Sequence, residues 1–310
     1  MRRPLALLVA LAALATFSLS GCGSDAGADD GVSVAAGFYP LAWVAERVGG
    51  AGTHVVSLTD PGVEPHDLEP TLARTRELAG ADLVLIEHGL QPALDDAVEQ
   101  NAQGTVLDVT DVVHLHPAEH VEPAGAEEGE DHDHGEEDPH FWLDPILLAD
   151  VGDAVAADLA DLDPDNASTY AANAAELRNE LAGVDQEFSE GLADCERHVI
   201  VSSHDAFGYW AKYGIEVAPV AGLTPDAEPT PAGIAGLQQL IRKEGITTVF
   251  SERLASPKLT ESLADDLGLR TAVLDPIEGL TSDDSDEDYL SLMRENLAAL
   301  QEANQCTTPD

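Results

Sequence analysis

Three histidines and one aspartate occupy positions directly after candidate strands or at candidate helix starts. They are His66, His140, His204 and Asp275, each about two β/α units from the next. In open parallel α/β sheets the ligand crevice lies beyond the carboxyl ends of the strands, so these side chains can meet in one cleft. Three imidazoles and one carboxylate form a tetrahedral set. Such a set suits Zn²⁺ better than Mg²⁺ or Ca²⁺, which prefer larger sets of oxygens.

Two glutamates lie near these histidines in the sequence or at a comparable strand end. Glu64 precedes His66 by two residues, and Glu252 ends a candidate strand in the second half of the chain. Metal-bound histidines usually donate their other ring N–H to a carboxylate or a carbonyl. We therefore expect Glu64 and Glu252 to line the site or to bind its ligands. Glu252 or a water molecule remains an alternative to Asp275 as the fourth ligand.

A second group of histidines lies within or just ahead of an acidic segment at about residues 117–138. Its like charges and lack of apolar residues predict local disorder. Imidazoles among carboxylates on a mobile loop can hold a divalent metal loosely, so we expect accessory metal capture; a solvated spacer is the alternative. The histidines concerned are His116, His120, His132 and His134.

Short apolar segments alternate with helical ones along the whole chain, which predicts an α/β protein with parallel sheets. The pattern occurs twice, so we expect two similar β/α lobes with the metal site in the cleft between them. The candidate strands are 32–36, 55–58, 83–86 and 106–109 in the first half and 199–201, 215–219, 247–250 and 271–274 in the second.

The two halves are separated by a long segment without proline that is rich in Ala, Glu and Leu. Pro164 fits the first turn of a helix, and the segment to about residue 192 predicts a single long helix that joins the lobes rigidly. The expected boundaries are a first lobe at 32–163, a linking helix at 164–193 and a second lobe at 194–310.

The composition excludes one class of partner and says little about others. The 310 residues include 14 Lys and Arg but 59 Asp and Glu, for a net charge of −45. A nucleic-acid binder needs positive charge to displace the counterions of phosphates, so nucleic acid is not an expected partner. Most of this acidity is best interpreted as a solubility property rather than as a functional signal.

The first 22 residues have the features of an export signal. Arg2 and Arg3 precede an apolar stretch that is too short to span a bilayer. The stretch ends before Cys22 in small residues that resemble a bacterial lipobox. We therefore expect residues 1–21 to be a signal peptide, Cys22 to be lipidated and residues 22–31 to form a flexible tether. The protein would then be extracytoplasmic and held at the membrane by its lipid alone.

Two further cysteines would remain after lipidation of Cys22. Cys195 and Cys306 would lie in an oxidising compartment, which favours a disulfide between them; two buried thiols are the alternative.

The segments that contain the candidate ligands, taken in order with the acidic segment, resemble those of the zinc-type substrate-binding lipoproteins of bacterial metal ABC importers (ZnuA/TroA-like, cluster A-I). The resemblance covers essentially all of the chain after Cys22. It is carried by segments 38–41, 64–70, 138–145, 203–209 and 274–276, together with the acidic histidine-containing segment.

The resemblance implies two β/α lobes joined by a long helix, with His66, His140 and His204 as ligands of a Zn²⁺ ion between them. It also implies a monomeric receptor that delivers zinc to a membrane permease and its cytoplasmic ATPase, without catalysis. Manganese-type relatives carry Glu where this chain has His204, and a third nitrogen favours zinc. A manganese or iron receptor and a zinc hydrolase remain the alternatives, although no HExxH pair is present.

Overall fold

The computed structural model describes residues 31–118, 121, 137–225, 229–282 and 286–307. The expected signal peptide, the lipidation site Cys22 and most of the tether lie outside these residues. So does most of the acidic segment, including His120, His132 and His134. In the part of the chain that the structure describes, no helix combines the length and the hydrophobicity that crossing a membrane requires.

The first half of the chain forms a four-stranded, fully parallel sheet. Its strand order is β2-β1-β3-β4. All four residues of β3 are buried, as expected of a central parallel strand covered on both faces. The strands are β1 (Val32–Ala36), β2 (Thr53–Ser57), β3 (Leu83–Ile86) and β4 (Thr105–Asp108).

Helices cover both faces of this sheet. Alternate strand residues point to opposite faces, so Val34 and Leu85 join the main core while Ala35 and Val84 join a smaller cluster with the second and third helices. The helices are α1 (Tyr39–Gly49), α2 (Leu72–Gly80) and α3 (Pro92–Asn101), with short 3-10 helices at Gly50–Gly52 and Val109–Asp111.

Two helices lead from the first sheet to the second. A 3-10 turn at Phe141–Leu143 is followed by α4 (Pro145–Leu162), and α5 (Ala167–Gly191) comes next. The predicted long helix is present, but its first turn (Pro164–Asn166) is a 3-10 helix, because the Asn166 amide binds the carbonyl of Asp163. α5 therefore has 25 residues and packs against α1 and α4.

The second half repeats the first topology. Its four parallel strands have the order β6-β5-β7-β8, which matches the order of the first sheet. The strands are β5 (Val199–Ser202), β6 (Glu216–Pro219), β7 (Thr248–Ser251) and β8 (Arg270–Val273). The helices are a 3-10 helix at Gly208–Tyr213, α6 (Pro231–Glu244), α7 (Lys258–Leu267) and α8 (Tyr289–Asn304).

The main apolar core is shared by both halves of the chain. It includes Phe38 and Leu41 from the first half, Phe188 from α5 and Trp210 from the second half, all fully buried. Burial of apolar surface is the dominant favourable term in folding, so a shared core holds the two halves together. The predicted two-lobe α/β architecture with parallel sheets is confirmed.

Residues 138–143, named here the His140 turn, are fixed by hydrogen bonds from the second half of the chain. Three buried aromatic side chains donate to its carbonyl oxygens. Because buried carbonyl groups are costly when unpaired, these bonds specify where the turn must lie. The bonds run from Tyr209 Oη to Asp138 O (2.9 Å), from Trp210 Nε1 to Leu143 O (3.0 Å) and from Tyr289 Oη to Trp142 O (2.6 Å).

A disulfide joins Cys195 and Cys306, the pair favoured by the sequence. Cys195 follows α5 and Cys306 follows α8, so the bridge fixes the end of α8 beside the entry to the second sheet. The amides of Glu196 and Arg197 also bind the carbonyl of Asn304.

We expect removal of this disulfide to destabilise the protein without changing its ligand site. The two cysteines are 111 residues apart, for which the chain-entropy model gives about 5 kcal/mol. In urea titrations, the free energy of unfolding of Cys195→Ser/Cys306→Ser should be lower than that of the wild type by up to this amount. Equal midpoints and slopes for the variant and the wild type would contradict the prediction.

Candidate metal centre

The site is built from four loops, each of which follows the carboxyl end of a strand. His66 lies between β2 and α2, and His140 lies beyond β4 at the start of a 3-10 turn. His204 comes two residues after β5, and Glu278 comes five residues after β8. Each half therefore contributes two side chains, and the carboxyl ends of the parallel strands aim all four at one point.

The four side chains meet in one compact cluster. Nε2 of His66, His140 and His204 lies 3.4, 3.3 and 3.5 Å, respectively, from Oε1 of Glu278. Nε2 of His140 is 3.3 Å from Nε2 of His204. Among the described residues, this is the one group of three or more histidine, cysteine or acidic side chains whose ligand atoms converge closely enough to hold a metal ion.

Four of the six distances between these ligand atoms are close to the edge of a zinc coordination tetrahedron, and all six lie within 4.8 Å. Ligand atoms placed 2.0–2.1 Å from Zn²⁺ at tetrahedral corners lie about 3.3–3.4 Å apart. The cluster is almost completely sealed, with His140 and His204 at 0% exposure and Glu278 at 2%. His66 Nε2 and Glu278 Oε1 are buried without a hydrogen-bond partner. A cation among the four atoms would satisfy both.

Two carboxylates fix the orientation of two of the imidazoles. Nδ1 of His140 lies 2.7 Å from Oδ1 of Asp138, and Nδ1 of His204 lies 2.7 Å from Oε1 of Glu252. A carboxylate can only accept, so each Nδ1 carries the proton and each Nε2 faces the cluster. This arrangement is typical of metal-binding histidines. Glu252, which the sequence predicted as a lining residue, therefore contacts the side of the His204 ring that faces away from the cluster. Asp138 does the same for His140, but it was not among the predicted site residues.

His66 is the more accessible imidazole. Its side chain is 7% exposed and borders a cavity of about 180 Å³ that Asp67 and Pro225 also line. Its backbone amide donates to Oε1 of Glu64 at 3.2 Å. Glu64 thus binds the loop of His66 and not its ring. Burial and the negative charge of Glu278 raise the pKa of Glu64 to about 7.

The charges within the cluster stabilise one another. Burial by itself lowers the pKa of His204, but the hydrogen bond to Glu252 and the negative charges of Glu252 and Glu278 outweigh burial and raise the pKa to about 10. For His140, the hydrogen bond to Asp138 and the nearby carboxylate of Glu278 outweigh burial in the same way and raise its pKa. Burial acts to raise the pKa of Glu278, whereas the three imidazoles hold it well below its usual range.

Asp275, the predicted carboxylate ligand, does not join the cluster. Its Oδ2 lies 3.0 Å from Nε of Arg253, and its Oδ1 accepts a hydrogen bond from the amide of Ile277. Glu278, three residues further on, takes the place that the sequence assigned to Asp275. The error has a simple origin, because Asp275 directly follows a strand while the loop that turns Glu278 inwards leaves no recognisable sequence signal.

Of the four histidines assigned to accessory metal capture, only His116 belongs to the described residues. Its ring stacks on Tyr209 with centroids 4.9 Å apart, and its amide donates to Tyr209 Oη. His116 is therefore attached to the protein beside the His140 turn. His120, His132 and His134 lie outside the described residues, so their proposed role stays a prediction.

Comparison with known proteins identifies relatives along nearly the whole chain. The family model of the periplasmic zinc-uptake complex component A (ZnuA) matches residues 34–303. The zinc-binding lipoprotein AdcA of Streptococcus pneumoniae is 33% identical over 303 residues, which cover 94% of this chain and 60% of AdcA. The high-affinity zinc uptake system protein ZnuA of Bacillus subtilis is 32% identical over 307 residues, which cover 96% of this chain and 95% of that protein.

A solved structure extends the likeness to the fold. The Zn(II)-bound ZnuA-like domain of S. pneumoniae AdcA superposes with a TM-score of 0.72 at 28% identity, covering 88% of this chain and 99% of that domain. This chain spans about 60% of the full-length streptococcal relative and corresponds to one domain of it.

We expect the stability of the metal-free protein to depend on pH through the pair of His204 and Glu252. The pKa of His204 is raised from 6.5 to about 10 in the folded state, so the pair stabilises the protein fully below about pH 6.5. Its contribution is lost as the pH rises towards 10. Between pH 6.5 and 9.5 the free energy of unfolding should fall further in the wild type than in Glu252→Gln.

The difference between the two proteins should exceed about 1.4 kcal/mol, the equivalent of one pKa unit. Urea unfolding of chelator-treated samples at several pH values measures it. His198→Ala serves as the control, because it removes an exposed imidazole that lies just before β5, at the opposite end of this strand from His204. Parallel pH profiles for the wild type and Glu252→Gln would show that the pair does not stabilise the fold.

Proposed function

This chain belongs to the family of periplasmic zinc-uptake complex A components, and from that premise we propose that it is the receptor of a zinc importer. It binds Zn²⁺ outside the cytoplasm with His66, His140, His204 and Glu278 and delivers the ion to a membrane permease. The observation that carries this proposal is the spacing of 3.3–3.5 Å between the three imidazole nitrogens and the glutamate oxygen.

The donor set supports zinc as the transported ion. Three nitrogens and one oxygen suit a borderline-soft ion that accepts four-coordination, whereas hard ions such as Mn²⁺ are better served by carboxylates and carbonyls. The relatives AdcA and ZnuA carry names that refer to zinc. Manganese and iron are therefore the competitors against which the site should be measured.

The geometry supports capture rather than hydrolysis. Catalytic zinc sites have three protein ligands and an open position for water. Here Glu278 supplies a fourth protein ligand atom, and all but one of the four side chains are completely buried. The relatives belong to a receptor family, in agreement with a role in binding.

Binding requires the loss of protons from the cluster. The pKa of His204 lies near 10 in the metal-free protein, so zinc must displace its proton before Nε2 can coordinate. Glu278 is already ionised, because the imidazoles hold its pKa low. Zinc then replaces an imidazolium as the counter-charge of this carboxylate, and acidification should weaken binding by competition.

The sequence and the family support the proposed location and partners. The segment before Cys22 supports export, cleavage and lipidation, and AdcA carries the name lipoprotein. A lipid on Cys22 would hold the receptor at the outer face of the cell membrane, next to the permease and its ATPase. The acidic segment with His120, His132 and His134 would concentrate zinc near the cleft.

We expect the cleft to hold one tightly bound Zn²⁺ that depends on Glu278 and His204. Glu278→Gln and His204→Ala should each weaken zinc binding by more than about 100-fold, since loss of a ligand costs more than loss of a ligand's outer partner. Competition against a chromogenic chelator, with Mn²⁺ present in excess, measures the affinity. His198→Ala is the matched histidine control and should bind as the wild type does.

A deletion of residues 117–137 separates the cleft from the acidic segment. Zinc that stays tight in this deletion but is lost in His204→Ala supports the cleft as the site of capture. If tight zinc binding is lost in the deletion but is unchanged in His204→Ala and Glu278→Gln, the acidic segment is the binding site. The receptor mechanism built on the cleft would then be wrong.

A further inference from the structure

The backbone that leads into Glu278 has an unusual conformation. Ile277 has φ = 60°, one of two positive values among the described non-glycine residues. The left-handed region is unfavourable for a β-branched side chain, and such residues persist only where the surroundings impose them. Ile277 is completely buried and directly precedes the carboxylate that faces the three imidazoles. Its conformation therefore sets the direction in which Glu278 leaves the chain.

Hydrogen bonds hold this segment on every side. The amide of Ile277 donates to Oδ1 of Asp275 at 2.8 Å, which closes a tight turn two residues long. Asn296 of α8 accepts from the Asp275 amide at 2.8 Å and donates to its carbonyl at 2.7 Å. Trp142 of the His140 turn donates to the carbonyl of Pro276 at 2.7 Å. The last bond ties the backbone before Glu278 to the turn that carries His140.

Arg253 fixes the remaining oxygen of Asp275. Its Nε lies 3.0 Å from Asp275 Oδ2, and its two terminal nitrogens each lie 2.6 Å from a carboxylate oxygen, one of Glu287 and one of Glu295. The guanidinium is therefore held on three sides. Asp275 itself is 4% exposed, and its two carboxylate oxygens contact Arg253 and the Ile277 amide inside the protein. Neither oxygen is available to a metal ion in the cluster.

We propose that Asp275 is a positioning residue that holds Ile277 in its left-handed conformation and thereby places Glu278 among the three imidazoles. The inference rests on the proposed function only where its test measures zinc binding. Asp275 acts through the hydrogen bond from the Ile277 amide, and Arg253 and Asn296 keep its carboxylate and backbone in place. The aspartate that the sequence suggested as a ligand thus positions the ligand Glu278 and does not bind the metal itself.

This role differs from general support of the core. A purely structural Asp275 would matter for stability alone, and its loss would leave the geometry around a bound metal unchanged. A positioning Asp275 controls one hydrogen bond, which an asparagine can still accept through its Oδ1, although its Nδ2 then faces the donor Nε of Arg253. Asp275→Asn should therefore retain part of the zinc affinity that Asp275→Ala loses. If Asp275 were itself a ligand, both substitutions would weaken binding strongly.

The test compares zinc affinity and the visible absorption spectrum of bound Co²⁺ in four proteins. These are the wild type, Asp275→Ala, Asp275→Asn and Glu295→Gln. Glu295→Gln is the matched control, because it removes one partner of Arg253 and leaves the bond between Asp275 and Ile277 intact. Asp275→Ala should weaken zinc binding by about 10- to 100-fold, as is typical for the outer partners of metal ligands, and should alter the Co²⁺ spectrum.

Glu295→Gln should bind zinc within about threefold of the wild type and keep its Co²⁺ spectrum. Asp275→Asn keeps the bond to Ile277 but loses the ion pair with Arg253, so it should bind zinc more weakly than the wild type and at least about threefold more tightly than Asp275→Ala. Wild-type affinity and spectrum in Asp275→Ala would overturn the proposal. So would equal weakening in Asp275→Ala and Asp275→Asn. If Asp275→Ala does not fold, Asn296→Ala takes its place, since it frees the Asp275 backbone; wild-type binding there would also overturn the proposal.

A crystal structure of metal-free Asp275→Ala separates this inference from the proposed function. We expect Glu278 Oε1 to move away from the imidazole nitrogens, which lie 3.3–3.5 Å from it in the wild type. A wild type that does not bind zinc would refute the proposed function, and the position of Glu278 in the variant would still decide the inference. An unmoved carboxylate would overturn it.

Discussion

The structure depends on one buried carboxylate placed among three imidazoles. Glu278 is 2% exposed, and its Oε1 lies within 3.5 Å of the Nε2 atoms of His66, His140 and His204. An isolated buried anion is very costly, so the carboxylate requires a cation beside it at all times. Imidazolium fills that need without metal, and a divalent ion fills it better. The exchange of one cation for another is the chemistry of reversible capture.

The fold meets this requirement by repeating one topology. Two parallel sheets with the same strand order direct their carboxyl ends towards each other, and each half supplies two of the four side chains. The halves are not independent, because three aromatic donors from the second half bind the His140 turn and Trp142 of that turn binds Pro276 beside Glu278. His140 and Glu278 are thus fixed in one continuous network. His66 lies on a separate loop at the edge of a cavity.

Much of the site could be predicted from residue types and positions. His66, His140 and His204 follow strands or begin helical turns, and the topology of parallel sheets brings such positions together. The carboxylate was harder, because Asp275 and Glu278 both lie in the loop after β8. Sequence position favoured Asp275, which comes first, whereas the pairing with Arg253 and the turn at Ile277 direct Glu278 inwards. Asp138 was missed for a related reason, since its role depends on the turn that follows it.

By itself, the amino-acid sequence determined the alternation of strands and helices, the repeated halves, the long α5 and the identity of the three histidines. The strands, the helices and their repetition depend on local periodicity, which each segment carries in its own residues. The three histidines follow from the strand ends that this periodicity locates. Only the tertiary structure decided which carboxylate completes the cluster, because that choice depends on contacts with Arg253, Asn296 and Trp142 from distant parts of the chain. Side-chain direction in a loop is set by such long-range partners, and no local pattern encodes them.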